Sequence, residues 1–164
     1  MDKNIACLIV MPPNNKPWRF FLILTNNSNY YNHNNSILLV DDEKDILHLF
    51  CACLQKFGYE TIPFNNPVDA LNYINTSNIS NCSLIITDYK MPQMSGFEFI
   101  KKIRENDTTF KLKILLISAF TKSDIMSNDI SDSLRIDKII EKPIHLENLI
   151  EEVQKLIRGI DYIS

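Results

Sequence analysis

From Ser36 onward, short apolar runs alternate with segments in which apolar positions recur every three or four residues. "ILLV" at 37–40 is an apolar run that stops at acids, and it predicts a strand. The helix predicted next covers Glu43 to Phe57, with Ile46, Leu49, Cys53 and Phe57 on one face and Gly58 as its stop. "YETIPF" at 59–64 predicts a second strand, and "PVDALNYINT" at 67–76 a second helix with proline in its first turn. The same alternation gives a strand at 83–87, a helix from "GFEFIKKIREN", a strand at 113–118 and a weakly patterned polar helix at 122–134. It ends with a strand at 136–141 and a strongly amphipathic helix at 146–160, with Gly159 near its end. Strand followed by helix, five times over, predicts an α/β fold: a parallel sheet covered on both faces.

Residues 1–35 do not continue this pattern. "NNKPW" and "TNNSNYYNHNNS" are rich in asparagine and turn formers, and they bracket one apolar piece, "FFLIL" at 20–24. Such a composition cannot supply both faces of a core, so it predicts a flexible N-terminal extension with at most one short strand or helix, in which Trp18 to Leu24 could serve for docking. With 164 residues, the expectation is one domain plus this extension.

Charge and cysteine usage narrow the function classes. A formal net charge of -3 provides no basic surface for nucleic acid. Cys7, Cys51, Cys53 and Cys82 have neither zinc spacing nor a CxxC, which suits reduced thiols in a cytoplasmic protein. His33, His48 and His145 are scattered without a ligand pattern. The apolar stretch at 5–10 ends in Pro12-Pro13, far short of the roughly eighteen residues of a membrane span, and it lacks the flanks of a signal peptide.

In a parallel α/β sheet the ligand site lies beyond the carboxyl ends of the strands, where the strand order reverses. The predicted strands end in Asp41-Asp42, Asp88, Ser118 and Lys142-Pro143. Three acids on one edge raise each other's pKa unless a cation shares them, and a hard divalent ion such as magnesium suits oxygen ligands. A carboxylate held there can attack phosphorus and become an acyl phosphate. Lys142 then supplies positive charge, the Ser118 hydroxyl a hydrogen bond to a phosphoryl oxygen, and the backbone at Lys90 a carbonyl for the metal. Met91-Pro92 and Gly96 shape the turn after Asp88. Taken singly the residues have duller roles: Asp42 could cap the helix beginning at Glu43, and Lys142 or Ser118 could be ordinary surface groups.

Four motifs in this order, "ILLVDDEKDI", "IITDYKMPQMSG", "ILLISAF" and "EKPI", resemble the receiver domain of two-component response regulators. The resemblance spans about residues 36–160. It implies a flavodoxin-like, doubly wound (βα)5 fold with a five-stranded parallel sheet in the order 2-1-3-4-5. It also implies phosphorylation of Asp88, Asp42 as a direct Mg2+ ligand, Asp41 acting on the metal largely through water, Ser118 as the switch hydroxyl and Lys142 as the phosphoryl contact. A cis peptide before Pro143 belongs to the same pattern. The implied partners are a sensor histidine kinase or histidine phosphotransfer protein and a downstream target protein, with the chain a monomer or a phosphorylation-dependent homodimer. Because the sequence ends just after the last helix, a stand-alone receiver without an output domain is expected.

Two positions depart from the family. Ile139 stands at the switch position that is usually aromatic, and Arg135 where glycine is common. They keep a phosphorylation-independent, receiver-like binding module as the alternative. A haloacid-dehalogenase-like phosphatase would want a second acid two residues after the nucleophile, where this chain has Lys90. Phe120, two residues after Ser118, is expected to shield an acyl phosphate from water and lengthen its life.

Overall fold

The computed structural model describes residues 6–9, 20–23, 36–76, 79, 81–106, 112–120 and 134–158. The chain divides into two units, Met1–Asn32 and His33–Ser164. In the first, β1 (Ala6–Ile9) and β2 (Phe20–Ile23) pair antiparallel, Ala6 opposite Ile23 and Ile9 opposite Phe20. Two paired strands thus stand where at most one short element was expected.

The second unit contains β3 (Ser36–Val40), α1 (Lys44–Lys56), β4 (Glu60–Phe64), α2 (Pro67–Thr76), β5 (Cys82–Asp88), α3 (Gly96–Asn106), β6 (Lys113–Ser118), β7 (Lys138–Glu141) and α4 (Leu146–Arg158). Its five strands are all parallel and lie in the order β4-β3-β5-β6-β7. In chain order within this unit that is 2-1-3-4-5, the order that the resemblance implies. The expected helix at 122–134 lies almost wholly outside the described residues, so four helices are seen.

The three inner strands β3, β5 and β6 are almost wholly apolar because both of their faces are buried. Alternate side chains serve different cores: Ile37, Leu39, Leu84, Ile86, Leu115 and Ile117 pack with α1 and α4. Their neighbours Leu38, Val40, Ile85, Ile114 and Leu116 pack with α2 and α3. Each such Leu or Ile contributes about 1.5–3 kcal/mol by leaving water. Together they fix the register, since a one-residue slip would exchange the two sets.

Helix α1 corrects one expectation. Its buried face is Leu47, Phe50, Cys51 and Leu54, whereas Leu49 is 47% exposed. Ile46, Cys53 and Phe57 lie at the margin of that core. The helix stops at Gly58, whose φ of 83° suits a residue without Cβ and whose amide donates to the Gln55 carbonyl at 2.9 Å. Helix α3 starts with a reciprocal cap: the Ser95 amide and hydroxyl both donate to Glu98 Oε2 at 2.8 Å, and the Glu98 amide donates to Ser95 Oγ at 3.3 Å.

A buried guanidinium ties together the amino ends of β6 and β7. Arg104 donates through Nε to the Leu134 carbonyl, through Nη1 to Leu112 and through Nη2 to Arg135, each at 2.9 Å. Asp137 lies 3.9 Å from Arg104 and accepts the Ile114 amide and the Lys113 ammonium, both at 2.9 Å. Arg135 itself has φ 46°, a left-handed conformation that glycine adopts most readily.

Candidate functional site

Strand order reverses at β3, with β4 on one side and β5 on the other, so the carboxyl ends of β3 and β5 flank the switch point. Asp41 follows β3 directly and Asp88 ends β5; they are 3% and 5% exposed. Two carboxylates so far from water need partners. Asp88 Oδ1 lies 2.7 Å from Lys142 Nζ, and its Oδ2 accepts the Lys90 amide at 2.9 Å. Lys142 also faces Glu43 Oε1 at 3.7 Å. Burial pulls the Lys142 pKa down, but the hydrogen bond to Asp88 and the negative charges of Asp88, Asp41 and Glu43 more than reverse this, and it ends above its ordinary value.

Asp41 is less well served. Its Oδ1 accepts the Glu43 amide at 2.9 Å, while Oδ2 is buried without a hydrogen-bond partner. Burial first, then the charges of Asp88 and Glu43, push its pKa up to about 6, against the lowering effects of the Glu43 amide and Lys142. Asp42 is half-buried. It does not cap α1: the cap position is Glu43, which makes no side-chain capping bond.

The other predicted site residues fall on the same edge. Ser118 ends β6, fully buried, and its Oγ accepts the Phe120 amide at 2.9 Å, which leaves the hydroxyl proton for another acceptor. The Lys142 amide donates to the Ser118 carbonyl at 2.7 Å, locking the lysine to the neighbouring strand end. The Lys142-Pro143 peptide is cis. Lys90 is exposed, and it is the amide of this residue that reaches Asp88. Ile139 lies on β7, beside Leu116 in register, partly buried in the core shared with α2 and α3.

One feature escaped sequence reasoning. Tyr89, directly after Asp88, packs edge-on against Phe97 with centroids 5.2 Å apart and against Phe120 at 5.4 Å. Its backbone is fixed as well, the amide donating to the Ile117 carbonyl at 2.7 Å and the carbonyl accepting the Gly96 amide at 2.8 Å. The residue types were visible, but nothing local to them signals a contact across two loops.

The described histidines and cysteines add no second site. His48 and His145 are exposed, Cys51 and Cys82 are buried free thiols and Cys53 is a half-buried one, all three pushed up in pKa by burial. His33 and the side chain of Cys7 lie outside the described residues. Among the described residues no helix is long and apolar enough to cross a membrane.

Residues 37–154 match the response regulator receiver domain family. The chain is 33% identical over 117 residues to the response regulator receiver protein CpdR of Brucella abortus, covering 71% of this chain and 92% of that protein. It is 34% identical over 120 residues to the chemotaxis protein CheV1 of Helicobacter pylori, covering 71% of this chain but only 37% of that longer protein. Among solved structures it resembles the response regulator TrrA of Thermotoga maritima in complex with Mg2+ and BeF, with a TM-score of 0.63, 34% identity and coverage of 74% and 98%. The chemotaxis response regulator CheY4 of Vibrio cholerae superposes with a TM-score of 0.65 at 27% identity, covering 74% of this chain and 98% of that one.

Proposed function

Since the chain belongs to the response regulator receiver domain family of two-component signalling, we propose that it accepts a phosphoryl group on Asp88 and signals through the change that follows. The observation that carries this reading is Asp88 itself, a buried strand-end carboxylate held by the Lys142 ammonium at 2.7 Å and the Lys90 amide at 2.9 Å. These contacts fix the position of both its oxygens.

In the transfer, an Asp88 oxygen attacks phosphorus, the phosphorus–nitrogen bond of a donor phosphohistidine breaks, and its electron pair returns to the imidazole. Lys142, already beside Asp88, keeps positive charge where negative charge accumulates. Ser118 offers its hydroxyl proton to a phosphoryl oxygen.

The acids suit a divalent cation. Asp41 Oδ2 is a buried oxygen without a partner, on a carboxyl whose pKa is already raised by burial and by Asp88. Among the described residues no three acidic, imidazole or thiol side chains form a metal cluster by themselves. An ion here would draw on Asp41, Asp42, Asp88 and the Lys90 carbonyl together with water, which agrees with magnesium's habit of keeping several waters. When bound, Mg2+ offsets the charge of the carboxylates and the incoming phosphoryl group. The role proposed is that of a phosphoacceptor switch. Its partners would be a histidine kinase or phosphotransfer protein upstream and a target protein downstream.

The test is intact-mass measurement after incubation with Mg2+ and acetyl phosphate. One added phosphoryl group that disappears without Mg2+ or in Asp88→Asn is expected. An adduct that survives Asp88→Asn would place the chemistry elsewhere, and no adduct together with no Mg2+ binding would favour a phosphorylation-independent module.

A further inference from the structure

The backbone of Glu43 builds the strand end, and its side chain is left over. Its amide donates to Asp41 Oδ1 at 2.9 Å and its carbonyl accepts the Leu47 amide at 3.0 Å, opening α1, while the side chain makes no capping bond. That side chain is 65% exposed, and its Oε1 lies 3.7 Å from the Lys142 ammonium, which holds Asp88 Oδ1 at 2.7 Å. Asp41 and Asp88 are buried and Asp42 is half-buried, so Glu43 is the most open acid of this edge. We propose that Glu43 sets donor specificity: it favours a phosphoryl donor whose leaving group carries positive charge, such as a protonated imidazole, over an anionic acyl phosphate. This rests on the phosphoacceptor reading above.

Attacking and leaving atoms lie roughly in line on phosphorus. Because Asp88 is buried, the leaving group faces the open side of the site, where the exposed carboxylate of Glu43 stands beside Lys142. With a phosphoimidazole protonated on its other nitrogen, the bond from Asp88 oxygen to phosphorus forms and the phosphorus–nitrogen bond breaks. Its electron pair cancels the positive charge of the ring, and imidazole leaves neutral. Glu43 attracts such a ring on approach and opposes nothing on departure. With an acyl phosphate the phosphorus–oxygen bond breaks, the pair stays on the acyl oxygen, and a carboxylate departs next to a carboxylate. Lys142 does not compensate fully, because its charge is shared between Asp88 and Glu43. The side chain at 43 therefore acts on the sign of the donor, and the fold of the site does not depend on it.

The experiment measures the rate of adduct formation by intact mass for the full chain, Glu43→Gln and Glu43→Asp at saturating Mg2+. Two donors are compared: acetyl phosphate, which releases a carboxylate, and phosphoramidate, whose ammonium group leaves as neutral ammonia. Glu43→Gln is expected to raise the acetyl phosphate rate relative to the phosphoramidate rate by about threefold at low salt, the effect of a unit charge roughly 6 Å away through water. The gain should vanish near 1 M salt, where the screening length is about 3 Å. Glu43→Asp, which keeps the charge, should keep the wild-type ratio. Equal changes with both donors, a ratio indifferent to salt, or a Glu43→Asp ratio equal to that of Glu43→Gln would overturn the inference while the adduct on Asp88 stands. No wild-type adduct with either donor, or an adduct that survives Asp88→Asn, would remove the phosphoacceptor reading, and this inference with it.

Discussion

Gly96 stands against the backbone of Asp88 so closely that a Cβ at 96 would be driven into the Asp88 carbonyl oxygen and would lie 3.0 Å from Tyr89 Cα. Both of these atoms are backbone, which cannot step aside as the Leu116 side chain, also 3.0 Å from that Cβ, could. Gly96→Ala is therefore expected to destabilise the protein by about 1–3 kcal/mol, the usual range for overpacking. It should also slow phosphorylation, since the displaced atoms carry Asp88. A lowered urea midpoint together with a slower mass shift checks both; an unchanged midpoint would mean that α3 recedes without strain.

Asp41 sets the pH dependence of stability. Its pKa is raised from 3.8 to about 6 by burial above all. The folded state therefore binds this proton more tightly than the unfolded state, and stability falls as pH rises from about 4 to about 6. The penalty at neutral pH is on the order of 3 kcal/mol. Lys142 works in the opposite sense: its raised pKa contributes stability that is complete below 10.5 and is lost only as pH rises through the folded value. Between pH 4 and 7, Asp41→Asn should accordingly flatten the profile and stabilise the metal-free protein at pH 7, while weakening Mg2+ binding. Urea denaturation across this range with and without Mg2+ measures all three.

Arg104 holds three carbonyls at the end of the sheet remote from the acids. Arg104→Met would leave those acceptors and Asp137 short of a donor in a buried setting, at a cost of about 2–4 kcal/mol. Because the damage is remote, Mg2+ affinity should stay as it is. Equilibrium unfolding and Mg2+ titration of the same variant separate the two effects.

Phe120 is half exposed, two residues after Ser118 and edge-on to Tyr89, and should slow water's approach to an acyl phosphate. Phe120→Ala is expected to shorten the phosphoryl half-life by about tenfold, equivalent to ~1.4 kcal/mol in the barrier. Decay of the adduct mass with time is the measurement, and equal half-lives would remove the shielding role.

How far the sequence could be read depended on how local the signal was. The strands at 37–40, 83–87 and 113–118 were plain because a fully buried strand is a short continuous apolar run. The face of α1 was misread, since "ILHLFCACL" at 46–54 satisfies helical spacing in two overlapping registers. Only packing against the sheet and α4 selects Leu47, Phe50 and Leu54. At the candidate site, the acids, Ser118 and Lys142 were legible as strand-end residues. That Asp41, rather than Asp42, is the buried one depends on where β3 stops and α1 starts. The Arg104 clamp joins residues 8 to 31 positions apart and the Tyr89–Phe120 contact crosses loops, so neither leaves a local pattern.

The rim of the sheet at β4 bears on assembly. Phe64 gives its carbonyl to the Asp41 amide at 3.2 Å, so its neighbour Pro63 turns its backbone the other way, outward. Proline has no N–H, and the outer rim of this five-residue strand thus lacks a donor near its middle. A second chain that tried to lengthen the sheet there would meet a gap in the ladder, a feature that protects edge strands from aggregation. Extension of the sheet by strand pairing at the β4 flank is consequently disfavoured.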